Sequence, residues 1–255
     1  MNSILKTAAA CLLAALAACP SWAADIGIMP VAVQLDRTHD RATVQVINNG
    51  SEPVMLQADA IAWKREAGID SDGPTGDLIV NPPVFTVQPG QVQIVRVGLR
   101  RHVGGAQEST YRMVLREVPQ PLADDRVGVT GNVRVLMALR VPVYVAPHAV
   151  TRDERWVAHR DAQGNFVASV VNAGNVHYKV GAIRLHDGPP ASGDEPAKAP
   201  MAEKTFGAVL FPGEGRSFHL PAQRATQALG AGRPMTLEVL TDRGLHHVAL
   251  ELASN

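Results

Sequence analysis

Cysteine is almost absent from this sequence: Cys11 and Cys19 are its 2 cysteines, and both lie near the N-terminus. The segment around them, residues 1–23, has a lysine near its start, a short apolar run and a Ser-Trp-Ala ending. This layout is typical of a secretory signal peptide that is cleaved after Ala23 or Ala24. We therefore expect a mature chain without cysteine, which excludes disulfides, thiol chemistry and zinc–cysteine sites.

The leader leaves one alternative open. Residues 16–19, Leu-Ala-Ala-Cys, also fit a lipoprotein box with processing at Cys19. The apolar run is too short for a membrane-spanning helix, which needs about 20 residues. Because the leader resembles those of exported Gram-negative proteins, we expect the protein in the periplasm.

An excess of charge of one sign is also missing. The 24 Lys and Arg residues balance the 24 Asp and Glu residues, so there is no strong basic field for nucleic acid or an anionic membrane. We therefore expect no nucleic-acid partner. A mature chain of about 230 residues, without disulfides, must be stabilised by burial in one large or two ordinary domains.

Catalytic and metal-binding motifs are missing as well. The sequence has no His-Glu-x-x-His pair, Gly-x-Ser-x-Gly turn, phosphate-binding glycine loop or dinucleotide fingerprint. His246 and His247 are adjacent and would point to opposite faces of a strand. The aspartate-containing segment 70–77 lacks the pattern of a calcium loop and is interpreted as a solvated turn. We therefore predict no catalytic residue, metal, cofactor or small-molecule substrate, and an exported enzyme is the least favoured interpretation.

What the sequence does contain is a succession of short β-type segments. Runs rich in Val, Ile, Leu and Thr alternate with clusters of Gly, Pro, Asn and Asp, as strands alternate with turns. No window of helical length has an i, i+3, i+4 apolar pattern. The sequence therefore predicts an all-β fold.

A weak internal repeat divides the chain in two. Residues 44–57 and 168–180 each pass from a strand through an Asn-x-Gly turn into a strand, and residues 87–97 and 210–220 each contain a Pro-Gly turn before a strand. Both pairs are separated by nearly the same offset. We therefore predict two tandem immunoglobulin-like β-sandwich domains. Chance similarity between hairpins is the alternative. The predicted domains are 24–147 and 148–255.

The segment 132–145, Asn-Val-Arg-Val-Leu-Met-Ala-Leu-Arg-Val-Pro-Val-Tyr-Val, carries apolar side chains at alternate positions. On a strand these would lie on one face and form a continuous apolar ridge. The apolar ridge consists of Val133, Val135, Met137, Leu139, Val141 and Val143. The pattern alone favours an ordinary core strand. The alternative is a ridge that another chain covers, since an uncovered apolar edge invites association.

Several motifs of the first domain resemble, in the same order, those of the PapD-like periplasmic chaperones of the chaperone–usher pathway. They are Leu-Asp-Arg-Thr (35–38), Asn-Pro-Pro-Val (81–84), Pro-Gly (89–90), Val-Arg-Val (95–97) and Leu-Arg-Glu-Val-Pro (115–119). The second domain resembles the family only in outline. The resemblance implies two immunoglobulin-like domains in a boomerang arrangement, which agrees with the internal repeat.

The resemblance also gives the apolar ridge a role. Chaperones of this family insert their G1 strand into pilus subunits that lack a last strand, a process called donor-strand complementation. It implies pilus or fimbrial subunits and an outer-membrane usher as partners. The donor residues implied for this chain are Val133, Val135, Met137, Leu139 and Val141.

The family holds the subunit's terminal carboxylate with basic residues in the cleft between the domains. This sequence departs from the best-known pattern, because His39 and Pro142 replace an arginine and a lysine. Its Arg-Val-Pro-Val-Tyr segment resembles the archaic (alternative) branch, in which the anchor corresponds to Arg96. We therefore expect Arg96 to bind the carboxylate, with Arg140 and Arg37 as helpers.

Arg37, His39 and Arg41 would share one face of the first strand, so His39 is a further candidate for this carboxylate anchor. The alternative is that these basic side chains are solvated or pair with Glu117 within the fold. Together, the residues and the resemblance predict a periplasmic chaperone that stabilises pilus subunits and delivers them to an usher, and no enzyme. The alternative function is a two-domain β-sandwich surface or adhesive protein.

Overall fold

The computed structural model describes residues 25–66, 68–101, 105–119, 135–189, 199–221 and 232–253. These residues form β-strands joined by turns and contain no helix, which confirms the predicted all-β fold. Within this part of the chain there is accordingly no apolar helix of membrane-spanning length. The predicted signal peptide, residues 1–23, lies outside the described residues.

Ten strands build the first domain as a two-layer sandwich. They are β1 (Ile26–Met29), β2 (Val33–Leu35), β3 (Arg41–Asn48), β4 (Val54–Glu66), β5 (Ile69–Pro74), β6 (Leu78–Asn81), β7 (Val84–Val87), β8 (Val92–Leu99), β9 (Ser109–Glu117) and β10 (Ala138–Val145). The first sheet has the order β1-β3-β8-β6, and the second has the order β2-β10-β9-β4-β5, with β7 also paired to β4. The N-terminal segment serves both sheets, because β1 pairs with β3 and β2 pairs in parallel with β10.

The core of the first domain is aliphatic and lies between these two sheets. Alternate side chains of β3 and β8 face inward and meet alternate side chains of β4, β9 and β10. Fully buried examples are Val44, Val46, Val95, Leu56, Met113, Leu115 and Val143. Each such side chain stabilises the fold by about 1.5–3 kcal/mol, and residues 25–253 contain no cysteine that could add a disulfide.

Seven strands build the second domain. They are β11 (Glu154–Arg160), β12 (Phe166–Asn172), β13 (Tyr178–Asp187), β14 (Ala202–Leu210), β15 (Gly215–Leu220), β16 (Pro234–Thr241) and β17 (Gly244–Ala253). Their pairing order is β14-β13-β16-β17-β11-β12-β15. β17 changes partner along its length, pairing with β16 and then, at Leu252 and Ala253, in parallel with β11. Strands from both ends of this pairing order contribute to one core, which includes Phe166, Phe218, Ile183 and Leu237.

In the described part of each domain, a buried asparagine joins two loops by hydrogen bonds. Asn48 is 0 % exposed and donates from Nδ2 to the carbonyl oxygens of Glu52 (2.7 Å) and Val87 (2.9 Å), while its Oδ1 accepts from the Gly50 N–H. Asn172 makes the equivalent bonds to Val176, Leu210 and Gly174. The internal repeat therefore has the same hydrogen-bonding role in both domains.

The connection between the two cores is short. β10 ends at Val145 and β11 begins at Glu154. The predicted boundary between residues 147 and 148 lies in this connection. Since β10 is the last strand before it, the site described next is adjacent to the second domain.

Candidate functional site

The apolar ridge divides into two halves with different surroundings. We call residues 141–145 the buried half and residues 135–140 the exposed half. In the buried half Val141 is 3 % exposed and Val143 is 0 % exposed, within the core of the first domain. In the exposed half Val135 is 86 % exposed, Met137 is half-buried and Leu139 contacts only the margin of that core. Val133 lies outside the described residues.

Neighbouring strands explain this division. β9 pairs with β10 along its whole length, but β2 covers the opposite edge only at residues 143–145. Among the described residues, no strand pairs with that edge at residues 138–142. The Met137 carbonyl accepts a hydrogen bond from the Glu117 N–H (2.9 Å), which keeps the exposed half beside β9. The exposed half thus combines apolar side chains with an unpaired strand edge, the arrangement that accepts a further strand.

Val141 therefore does not meet the prediction that it is available as a donor residue. Its side chain lies between the two sheets of its own domain, because the ridge enters the core before β2 joins the sheet. Removing it for another chain would expose core surface. In the described part of the ridge Val135 is accessible, and Met137 and Leu139 are partly so.

Two arginines project from the face of the second sheet that points away from the core. Arg140 of β10 and Arg112 of β9 alternate with core residues and therefore point away from the core. Asp72 of β5 bridges them, since its Oδ2 accepts from Arg140 Nη1 (2.6 Å) and its Oδ1 accepts from Arg112 Nη1 (2.7 Å). The Arg112 guanidinium lies over the Trp63 ring at 4.0 Å. This pair is a preorganised carboxylate-binding site.

Asp70 extends this network of charges toward the second domain. It accepts from Arg65 Nε and from Arg112 Nη2, each at 2.6 Å. The hydrogen bond from Arg65, supported by that from Arg112 and opposed by partial burial, lowers the pKa of Asp70 to about 2. Asp70 is therefore ionised at any physiological pH and holds Arg65 and Arg112 in place.

The arginine pair lies beside the contact between the domains. Trp63 and Tyr144 of the first domain form a small buried cluster with Phe211 of the second, and the Trp63 and Phe211 rings meet edge-on at 4.8 Å. Arg65 also donates from Nη1 to the Val209 carbonyl of the second domain (3.0 Å). Arg112 is thus a basic residue beside the contact between the domains, and Arg140 is linked to it through their shared partner Asp72.

A buried contact between a histidine and a glutamate lies at the same place. His177 of the second domain lies with Nδ1 2.8 Å from Glu108 of the first, and the side chains are 9 % and 5 % exposed. Its ring stacks on Tyr144 with 3.9 Å between ring centroids. Because Tyr144 belongs to β10, the buried half of the ridge is held by both domains.

Arg96, the first choice from sequence, lies elsewhere. It is exposed on β8 between buried Val95 and Val97, so its side chain projects from the outer face of the first sheet. There it lines a pocket of about 450 Å³ with Asp40, Arg41 and Asn81. Arg140 projects from the outer face of the second sheet. The two arginines therefore cannot bind one carboxylate together, because the domain core separates them.

The expected face shared by Arg37, His39 and Arg41 is also not formed. β2 ends at Leu35 and β3 begins at Arg41, so Arg37 and His39 lie in the turn between them. Asp36 organises this turn by accepting hydrogen bonds from Thr38 and His39, and the Thr38 hydroxyl is the main cause that lowers the pKa of Asp36. The turn shapes the local backbone and leaves both basic side chains exposed.

Sequence reasoning missed Arg112. The only signal in the sequence was its position within the alternating strand Thr-Tyr-Arg-Met-Val-Leu, where it interrupts an apolar run. Its partners Asp70 and Asp72 belong to the segment interpreted as a solvated turn, which instead forms β5 and covers the arginines. In the described residues no three His, Cys, Asp or Glu side chains are grouped to hold a metal.

Comparison with solved structures places this fold among pilus chaperones. A structure of the CsuC–CsuE chaperone–tip adhesion subunit complex from archaic Csu pili of Acinetobacter baumannii matches with a TM-score of 0.55 at 13 % identity, covering 91 % of this chain and 100 % of that one. The SafA pilin–SafB chaperone complex of Salmonella enterica matches with a TM-score of 0.57 at 17 % identity, covering 89 % and 97 %. The E. coli chaperone DraB matches with a TM-score of 0.51 at 18 % identity, covering 91 % and 99 %.

The sequence comparisons address the first domain. No curated protein matches the chain by sequence. Residues 25–151 match the family model of the pili and flagellar-assembly chaperones, PapD N-terminal domain. This range contains both halves of the ridge and the arginine pair. The chain therefore belongs to the family of pili and flagellar-assembly chaperones through its PapD N-terminal domain.

Proposed function

We propose that this protein is a periplasmic chaperone that stabilises pilus subunits by donor-strand complementation. One observation carries the mechanism: the exposed half of the ridge joins accessible apolar side chains to an unpaired strand edge. An incomplete subunit domain that pairs with this edge gains main-chain hydrogen bonds, and alternate side chains fill its open core. The family match and the similarity to chaperone–subunit complexes support this assignment.

The proposed donor residues are Val135, Met137 and Leu139, with Val133 as the next position of the same ridge. Burial of each side chain would stabilise a complex by about 1.5–3 kcal/mol. Val141 is left out of the donor set because it is already part of the chaperone's own core. A complex held mainly by burial and strand pairing needs no cofactor and no hydrolysed substrate.

Arg140 and Arg112 are the proposed anchor for the terminal carboxylate of the subunit. They lie on the outer face of the second sheet, and together they donate to both oxygens of one carboxylate, that of Asp72. Arg96, Arg37 and His39 remain a second proposal, since they would require the subunit to reach a different surface. Arg140→Ala should therefore lower subunit capture more than Arg96→Ala, measured as co-purified subunit from the periplasm.

After capture, the chaperone would deliver the subunit to an outer-membrane usher. Export of the chain by its N-terminal leader would place it in the compartment where this transfer occurs. Fractionation separates this proposal from a surface or adhesive protein. A chaperone is expected in the soluble periplasmic fraction and absent from purified pili, whereas a structural protein would remain with the fibres.

Met137→Asp tests the mechanism. A carboxylate on the ridge cannot enter an apolar subunit core without a large desolvation cost, so capture of co-expressed pilus subunits should fall at least about tenfold. Ala138→Asp is the matched control, because the same charge then lies on the opposite face of the strand and should leave most capture intact. Thermal unfolding of both isolated variants should resemble that of the wild type. Undiminished capture by a folded Met137→Asp variant would refute the donor role.

A further inference from the structure

Asp72 occupies the arginine pair in the structure as a bound carboxylate would. One oxygen accepts from Arg140 and the other from Arg112, at 2.6 and 2.7 Å. Both arginines belong to adjacent strands of one sheet, β10 and β9, so their spacing is fixed by backbone pairing. A second carboxylate that bridges the same two Nη1 atoms would take the position of Asp72.

The strand that carries Asp72 is placed so that it can leave. Among the described strands, β5 lies at the edge of the second sheet and has β4 as its single partner. Its side chains are nearly all exposed, and Ile69 is 73 % exposed. Since few buried apolar contacts hold β5, displacing it would cost little compared with displacing a core strand.

The charges at the site differ in how firmly they are held. Arg112 is 12 % exposed, bound to both Asp70 and Asp72, and stacked on Trp63. Arg140 is 52 % exposed and is bound to Asp72. If β5 moves away, Asp70 and Asp72 leave with it; Arg112 then keeps its contact with the Trp63 ring of β4, whereas Arg140 becomes available to a new partner.

We propose that Asp72 is an internal competitor for the subunit's terminal carboxylate, so that β5 covers the anchor in the free chaperone and is displaced on binding. This inference rests on the proposed function and adds to it a way in which the chaperone selects its subunits. A subunit must supply both a strand for the exposed half of the ridge and a carboxylate that replaces Asp72. A peptide or protein that offers only a strand, or only a carboxylate, would be bound weakly.

Asp72→Asn removes the competing charge while keeping the size of the side chain. We expect the affinity for a purified, co-expressed pilus subunit to rise about three- to tenfold, since charge-assisted bonds no longer have to be exchanged. The matched control is Asp59→Asn, which removes a carboxylate from the same face; Asp59 lies 3.9 Å from Arg116 and touches neither arginine of the pair. Asp59→Asn should leave the affinity unchanged.

A second arm shows that the gain depends on the carboxylate. A subunit extended at its C-terminus by Gly-Ser no longer places its carboxylate at the pair and should bind wild type and Asp72→Asn equally. If Asp72→Asn unfolds, Asp72→Ser repeats the measurement. Equal or weaker binding of the unextended subunit by folded Asp72 variants would overturn the competitor role. Absence of subunit binding by the wild type would instead overturn the proposed function and the inference with it.

Discussion

The two halves of the apolar ridge have the same sequence pattern and opposite surroundings. Val141 is buried in the core and residues 143–145 lie between β9 and β2, whereas residues 137–140 have β9 on one side and an unpaired edge on the other. The alternation of apolar side chains determines which face of a strand is apolar, and neighbouring strands determine what covers that face. One end of a strand can therefore be buried in the core of its own domain while the other end is available to pair with another chain.

The largest expected difference between the halves comes from introducing a charge. Val143→Asp places a carboxylate in a fully buried site without a partner, and we expect it to prevent folding or cost at least about 4 kcal/mol. Val135→Asp changes a side chain that is 86 % exposed, and unfolding should shift by less than about 0.5 kcal/mol. Urea unfolding followed by circular dichroism measures both. Similar destabilisation by the two variants would mean that the exposed half is part of the domain core.

A milder substitution locates the limit between the halves. Val141→Ala removes two buried methyl groups and should lower the free energy of unfolding by about 2 kcal/mol, while Val135→Ala should have no measurable effect. For subunit capture the order should reverse, with Val135→Ala weakening capture and Val141→Ala leaving it unchanged once folded protein is compared. If Val141→Ala weakened capture most, the donor set would have to include the buried half.

The smallest expected effect concerns the ion pairs that Asp70 forms with Arg65 and Arg112. The pKa of Asp70 is lowered from 3.8 to about 2, chiefly by Arg65, so its ionised form stabilises the fold above pH ~4 and this contribution is lost as the pH falls toward ~2. Asp70→Asn should therefore lower the free energy of unfolding near neutral pH by removing this contribution, and should show a smaller further loss of stability as the pH falls from ~4 to ~2. Acid titration followed by tryptophan fluorescence, on the wild type and the variant, measures this dependence of stability on pH. A steeper acid transition in the variant would contradict this reading.

Much of this architecture was predictable from local patterns. The alternating Val, Ile and Leu runs indicated strands, and the offset between the two asparagine turns indicated a repeated unit, in which Asn48 and Asn172 make equivalent bonds. The apolar ridge itself was visible because a period of two is a property of the sequence alone.

The position at which the ridge enters the core was not predictable. It depends on β2, a strand of Val33–Leu35 that is distant in sequence and covers only the end of β10. The location of the basic residues was not predictable either, because it also depends on how distant strands are arranged. Arg96 and Arg140 look alike in sequence, yet they belong to different sheets and project from opposite faces of the domain.

Hydrogen exchange of the β10 backbone, with and without a bound pilus subunit, tests the central claim most directly. In the free protein we expect slow exchange at residues 143–145, which β2 and β9 both pair, and faster exchange in the exposed half. Addition of a subunit should slow exchange at residues 135–140 and leave residues 143–145 unchanged. Unaltered exchange in the exposed half of a complex that demonstrably forms would contradict the account.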